Sequence, residues 1–175
     1  ALSIAAGITI PKGREIGFFP ELFHCSGIAA RGAATVNGEV VHARVLDYMR
    51  DIGLQNSAQV HVFIPDGFNA WISIGFAGFN GTVTAMNAKG LAIGEIGGRG
   101  EGNWDGLTMS YLMRQVMEEC NNVDDAIAFF NQVPHTCEFF YVLSDASGNM
   151  VTIYTQAKKK PIILHPNEKH DIIKE

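Results

Sequence analysis

Cys25, Arg44 and Asp47 bring a thiol, a fixed cation and a carboxylate into one short stretch of the 175-residue sequence. A cysteine attacks as its thiolate, whose population near neutral pH rises with nearby positive charge. An arginine beside it supplies that charge at every working pH. Nucleophile, cation and carboxylate together suffice for amide chemistry through an acyl-enzyme, provided that a scaffold brings them together.

The intervening residues predict that scaffold. Small and β-branched runs flank Asn37-Gly38, a pair that favours a two-residue type I′ turn because both central residues need positive φ. Residues 25–47 are thus expected to form a β-hairpin, with Cys25 opening its first strand and Arg44 and Asp47 closing its second. Residues three apart on a regular strand face opposite sides, so Arg44 and Asp47 share one site only where the strand ends or bulges. A two-residue turn also sets the register. Val36 meets Glu39, Arg44 meets Arg31 and Cys25 meets Arg50, which leaves Cys25 roughly 10 Å beyond Asp47 along the strand. A bulge at Gly27 or Gly32 would shorten that gap.

After a turn over residues 48–57, residues 59–65 alternate as a strand, with Val60, Val62 and Ile64 on one face. Asp66-Gly67 turns, residues 70–75 return, and residues 82–87 and 91–96 pair around Ala88-Lys89-Gly90. Consecutive hairpins of this kind build an antiparallel sheet. Residues 94–106 are glycine-rich and charged and are expected to form a flexible substrate loop. Gly98-Arg99-Gly100-Glu101-Gly102 lacks the Gly-Lys-Ser/Thr and the following helix of a phosphate loop. The period then becomes helical through Leu107, Tyr111, Leu112, Met113, Val116 and Met117 up to Cys120, with Asp105 as cap. A second helix is predicted from an Asn122 cap, with Asp124 and Asp125 in its first turn, an apolar face of Ala126, Ile127, Phe129 and Phe130, and a stop at Pro134. Residues 139–143, 150–155 and 161–164 return to strand. Strands, a helical pair, then strands predict an α+β domain.

Composition bounds the function. With 47% apolar residues, a chain of this length is one domain with a substantial core. A net charge of −5 argues against nucleic acid as the main partner, since that requires a basic patch. Lys158-Lys159-Lys160 reads as a solvated loop. No apolar run approaches the ~20 residues of a membrane span. Three cysteines, without Cys-x-x-Cys or a Cys/His cluster, predict neither a disulfide framework nor a zinc site.

Three segments carry a resemblance: Cys25 through Asn37-Gly38 to Ala43-Arg44-Val45-Leu46-Asp47; Met86-Asn87-Ala88-Lys89-Gly90-Leu91; and the strand, Asp-Ala-Ser-Gly turn and strand of residues 139–154. In order and spacing they resemble the cysteine N-terminal nucleophile (Ntn) hydrolases. That superfamily includes the choloylglycine hydrolases (bile salt hydrolase and penicillin V acylase), the acid ceramidase-like amidases and the isopenicillin N acyltransferase-like family. The resemblance implies a four-layer αββα sandwich of antiparallel sheets, incomplete here because only one helical pair is visible. The remainder would come from a second chain or a homo-oligomer.

It also implies autoproteolysis between His24 and Cys25. Residues 1–24 would then be a propeptide tail and 25–175 the hydrolase domain. The freed α-amine, with a reference pKa near ~7.8, would be the general base. Asp47 would orient it and Arg44 would stabilise the thiolate and the pocket charge. Glu95, ahead of Gly97, matches a further site position, and Asn80, Asn87 and Trp104 would line the pocket. No cofactor is implied, and the substrate would be a small-molecule linear amide. For the family's oxyanion asparagine there is no clean match: Thr136-Cys137-Glu138 departs from the pattern, and Asn167 lies in the terminal segment. The first residue is Ala1 rather than Met, the mark of an excerpt or a processed product. Localisation stays open, an extracytoplasmic or lysosome-like compartment included.

Other readings stand beside this one. Unpaired cysteines are commonly small core residues, which is the reading for Cys120 and Cys137 and an alternative for Cys25. Arg44 and Asp47 also fit an ordinary surface ion pair. His24 or His42 with Cys25 would make a papain-type dyad. As turn residues and a core aromatic, Asn80, Asn87 and Trp104 need no site. The rival from another class is an uncleaved, non-catalytic homologue that uses the fold as a binding module.

Overall fold

The structure, a computed structural model, describes residues 24–47, 53–102, 104–168 and 170. The expected propeptide tail up to residue 23 lies outside these residues, as does Arg50. Among the described residues, two antiparallel sheets and one α-helical pair, with a short 3-10 turn at Leu54–Ser57, make up the fold. The first sheet is the hairpin β1 (His24–Gly32) and β2 (Gly38–Asp47). The second has seven strands in sequence order: β3 (Ala58–Phe63), β4 (Trp71–Phe76), β5 (Thr84–Asn87), β6 (Ala92–Gly102), β7 (Cys137–Ser144), β8 (Met150–Thr155) and β9 (Ile162–Leu164). The helices α1 (Met109–Glu119) and α2 (Val123–Gln132) lie between β6 and β7 in the chain.

The main core fills the space between the large sheet and the helices. Leu112, Met113, Val116 and Met117 of α1 and Val123, Ala126 and Phe130 of α2 pack against Trp71, Leu91, Ile93, Tyr141, Leu143 and Ile153. Each large side chain so buried contributes about 1.5–3 kcal/mol. Asn122 caps α2 as expected, accepting from the Asp125 N–H. The cap of α1 is Thr108, not Asp105: the helix starts later because Leu107 is held in a bridge to His135. The expected loop over 94–106 is also corrected. β6 runs through Gly102, because β7 offers it a ladder partner as far as Gly97 and again at Gly102 opposite Cys137, with a register break between.

The hairpin covers part of the opposite face of the large sheet. Gly27 shows how closely: a Cβ there would stand 3.0 Å from Ile96 Cδ1 and 3.2 Å from Val142 Cγ2. The small residues of β1 thus let it press onto β6 and β7. Beyond the hairpin the same face carries Val60, Val62, Ile72, Ile74 and Met86, cross-strand neighbours that all remain exposed.

The hairpin register corrects the two-residue turn. Cys25 pairs with Leu46, His24 with Asp47 and Gly27 with Arg44, with an irregularity between Ala30 and Gly32. Asn37 and Gly38 do adopt positive φ (63° and 74°), yet so does Gly32 (61°). The chain therefore makes a longer loop over 33–37, stitched by Thr35 Oγ1 donating to the Glu39 carbonyl at 2.7 Å. The longer loop slides β1 along β2 and brings Cys25 to the level of Arg44 and Asp47.

Candidate active site

Strand alternation turns Cys25, Gly27 and Ala29 of β1, and Val40, His42, Arg44 and Leu46 of β2, toward the large sheet. Arg44 lies across Gly94 of β6, where a Cβ would be only 2.7 Å from Arg44 Cγ. The missing side chain opens the passage for the arginine stem. Its guanidinium is buried, with 1% of the side chain exposed. Nε donates to the Glu95 carbonyl at 2.9 Å, and Nη2 donates both to Glu95 Oε2 at 3.0 Å and to Cys25 Sγ at 3.0 Å. One guanidinium nitrogen therefore links the thiol to a buried carboxylate.

The electrostatics follow from that geometry. Burial pushes the Cys25 thiol above its ordinary value, and the Glu95 charge adds to the rise. Arg44 and the backbone N–H groups of Gly97 and Asp47 act the other way. Burial raises Glu95 to about 7, against the opposing pull of Arg44. Arg44 thus serves two anionic sites that disfavour each other's ionisation.

Asp47 ends β2 on the face opposite Arg44, directly across from His24. It stands beside the peptide bond that joins His24 to Cys25, and its side chain is exposed. The structure thus gathers Cys25, Arg44 and Glu95 into contact and sets Asp47 one pair away. The other candidates lie elsewhere. Asn87 is buried against the helices: Nδ2 donates to the Met117 and Cys120 carbonyls, while Oδ1 accepts from the Lys89 and Leu91 N–H groups. That amide closes the end of α1 and shapes the turn after β5. Asn80 is an exposed loop residue whose carbonyl accepts from Arg114 at 3.2 Å. Trp104 is 60% exposed, so it is no core aromatic.

Cys120 and Cys137 are buried, and burial pushes Cys120 up to about 12. All three cysteines are free thiols. His42 is bonded through Nδ1 to Ser144 Oγ at 2.9 Å, a pairing that sequence reasoning missed. Its one signal was its position two residues before Arg44, on the same face. Among the described residues, no group of three or more His, Cys, Asp or Glu is placed to hold a metal, and no helix is long and apolar enough to cross a membrane.

Comparison with known proteins places the chain in a family. Among solved structures, the chain is similar to a Caenorhabditis elegans N-acylethanolamine-hydrolyzing acid amidase ortholog, with TM-score 0.62 and 17% identity over 83% of this chain and 64% of that one. It is also similar to penicillin V acylase from Agrobacterium tumefaciens, with TM-score 0.59 and 18% identity over 79% of this chain and 49% of that one. These likenesses establish the Ntn-hydrolase fold. Protein dcd1A of Dictyostelium discoideum is 26% identical over 82% of this chain and 36% of its own length. The chain thus spans about a third of that curated relative and about half to two thirds of these solved structures. The family model for acyl-coenzyme A:6-aminopenicillanic acid acyl-transferase matches residues 36–173, which include Arg44, Asp47 and Glu95, while Cys25 precedes the matched span. By that match over most of its length, the chain belongs to the acyl-coenzyme A:6-aminopenicillanic acid acyl-transferase family, within the Ntn-hydrolase superfamily.

Proposed function

We propose that the protein is an autoproteolytically activated amidohydrolase or acyltransferase that cleaves a linear carbon–nitrogen amide through an acyl-enzyme on Cys25. The observation that carries this reading is the Arg44 guanidinium, held between Cys25 Sγ and the Glu95 carboxylate at 3.0 Å from each. A buried arginine donating to a half-buried thiol supports a poised nucleophile more than a core cysteine, which needs no cation.

Activation begins at the His24–Cys25 peptide bond. Cys25 Sγ attacks the His24 carbonyl carbon, the C–N bond breaks, and the Cys25 nitrogen takes the thiol proton. Water then hydrolyses the thioester, leaving a carboxylate on His24 and restoring the thiol. The freed α-amine belongs to Cys25, one ladder pair from the Asp47 position opposite His24, and Asp47 is read as the carboxylate that orients it as general base. In turnover the amine removes the thiol proton, the thiolate attacks the substrate amide carbon, and the same proton goes to the departing amine. Water or a second acceptor resolves the thioester. Arg44 stabilises the thiolate throughout.

The exposed apolar face formed by Val60, Val62, Ile72, Ile74 and Met86 supports packing of further polypeptide, as a second chain, a homo-oligomer or the remainder of a longer one. The partner in catalysis is a small-molecule amide. The test is intact-mass analysis of the purified protein beside its Cys25→Ala form. The expected result is loss of the residue 1–24 mass in the wild type alone. An intact wild type that also fails to label faster at Cys25 than at Cys120 would favour the rival binding module.

A further inference from the structure

Beside the Cys25–Arg44–Glu95 contact lies a second polar pair, Ser144 and His42. Ser144 ends β7 and is 2% exposed. It meets His42 Nδ1 at 2.9 Å, which ties the middle of β2 to the large sheet. His42 and Arg44 are neighbours on the sheet-facing side of β2, and both lie over Gly94. From the point where a Gly94 Cβ would sit, Arg44 Cγ is 2.7 Å away, Arg44 Cβ 3.1 Å and His42 Nε2 3.3 Å. The imidazole edge and the arginine stem therefore converge on one backbone position, no more than about 6 Å apart. A cavity of about 450 Å³ opens alongside, lined by both residues and by Val40, Ile72, Ile74 and Met86.

His42 Nε2 is buried and has no hydrogen-bond partner among the described residues. Stability alone does not explain this atom, since an unsatisfied buried polar group costs about 1–3 kcal/mol and an apolar side chain would fill the space without that cost. We propose that His42 is a positioning residue for Arg44: tethered by Ser144, its ring blocks the cavity beside the arginine stem and leaves the guanidinium one direction, toward Cys25 and Glu95. An arginine without such a wall regains rotamer freedom and spends less time on the thiol. Burial holds the imidazole below its ordinary value, which disfavours a second positive charge beside Arg44. The charged groups around it are Arg44 on β2, Glu95 on β6 and Asp145 after β7.

The proposal rests on the reading of Arg44 as the cation that stabilises the thiolate. It is tested by peptide-resolved iodoacetamide labelling of Cys25 against pH in the full chain, with urea unfolding as the measure of fold. The proteins compared are wild type, Arg44→Ala, His42→Ala, His42→Gln and Ser144→Ala. His42→Ala should move the half-labelling pH upward toward that of Arg44→Ala and slow labelling at pH 8 by at least threefold. His42→Gln, which fills the space and still bonds Ser144, should stay near wild type. Lower stability with an unchanged Cys25 profile in His42→Ala would overturn the proposal. Should His42→Ala not fold, Ser144→Ala carries the test: an upward shift supports the tether and a wild-type profile refutes it. An Arg44→Ala profile equal to wild type would sink the reading of Arg44 itself, and the role of His42 with it.

Discussion

Replacing Glu95 with glutamine separates the thiolate from its competitor for Arg44. Arg44 Nη2 donates to both Cys25 Sγ and Glu95 Oε2 at 3.0 Å, so the two acceptors stand no more than about 6 Å apart. A unit negative charge at that distance opposes the thiolate by about 2.8 kcal/mol at an effective dielectric of ~20, or about two pKa units. Cys25 is only partly buried, and solvent screening brings the expectation to about one to two units. Glutamine keeps an oxygen for Arg44 but carries no charge. Glu95→Gln should therefore lower the half-labelling pH of Cys25 by that amount, and labelling above pH 8, where Glu95 is ionised, should be about 10- to 100-fold faster. Below about pH 6, where the wild-type carboxyl holds its proton, the two proteins should converge. Peptide-resolved alkylation from pH 5 to 10 reads both limits. An unchanged or raised half-labelling pH in Glu95→Gln would refute the shared-arginine argument.

Further expectations concern stability. Burial raises Glu95 from an ordinary 4.5 to about 7, so between those values the folded chain holds a proton that the unfolded chain has released. Its contribution is full below pH 4.5 and is lost as pH rises through 7. Paired urea titrations at pH 5 and 8 should show the wild type losing about 2–3 kcal/mol relative to Glu95→Gln over that interval. Gly94→Ala places a methyl 2.7 Å from Arg44 Cγ; it should cost about 1–3 kcal/mol and slow Cys25 alkylation, since the stem must move. Asn87→Ala removes four hydrogen bonds at the end of α1 and the following turn. A loss of about 2–4 kcal/mol in the unfolding free energy would mark the amide as a structural tie, whereas near-wild-type stability would leave it for a pocket role. Asn122→Ala, which deletes the α2 cap, should cost about 1 kcal/mol by the same measurement.

Much of the fold was legible because its signals are local. Alternation marked β3 and β4, the change of period marked both helices, and the Asn122 cap is a short-range hydrogen bond. The hairpin formed, with an irregularity ending at the expected Gly32, but its two-residue turn is the instructive failure. Asn37 and Gly38 took the positive φ that their types favour, yet the turn around them is longer, because Gly32 adopts positive φ as well. Turn chemistry alone does not choose between a two-residue loop and a longer one. Packing does: the longer loop lets Gly27 meet Ile96 and Val142 and sets Arg44 over Gly94. The 94–106 stretch misled for a related reason. Its glycines read as a loop, but β7, more than thirty residues later in the chain, supplies the ladder that holds them extended.

Residue identities and local patterning specify which chemical groups are present and that a hairpin carries them: one cysteine upstream of the Asn-Gly turn, one arginine and one aspartate at the far end, with helices and an antiparallel sheet to follow. Which of those groups meet is set by packing between distant segments. Residue types and spacing act over a few residues, whereas the Arg44 to Glu95 contact joins positions 51 apart in the chain and that of His42 to Ser144 joins positions 102 apart. Such contacts depend on the register of one sheet against another, on the burial that raises Glu95, and on the glycine that lets an arginine cross a strand. None of these is a property of any short segment.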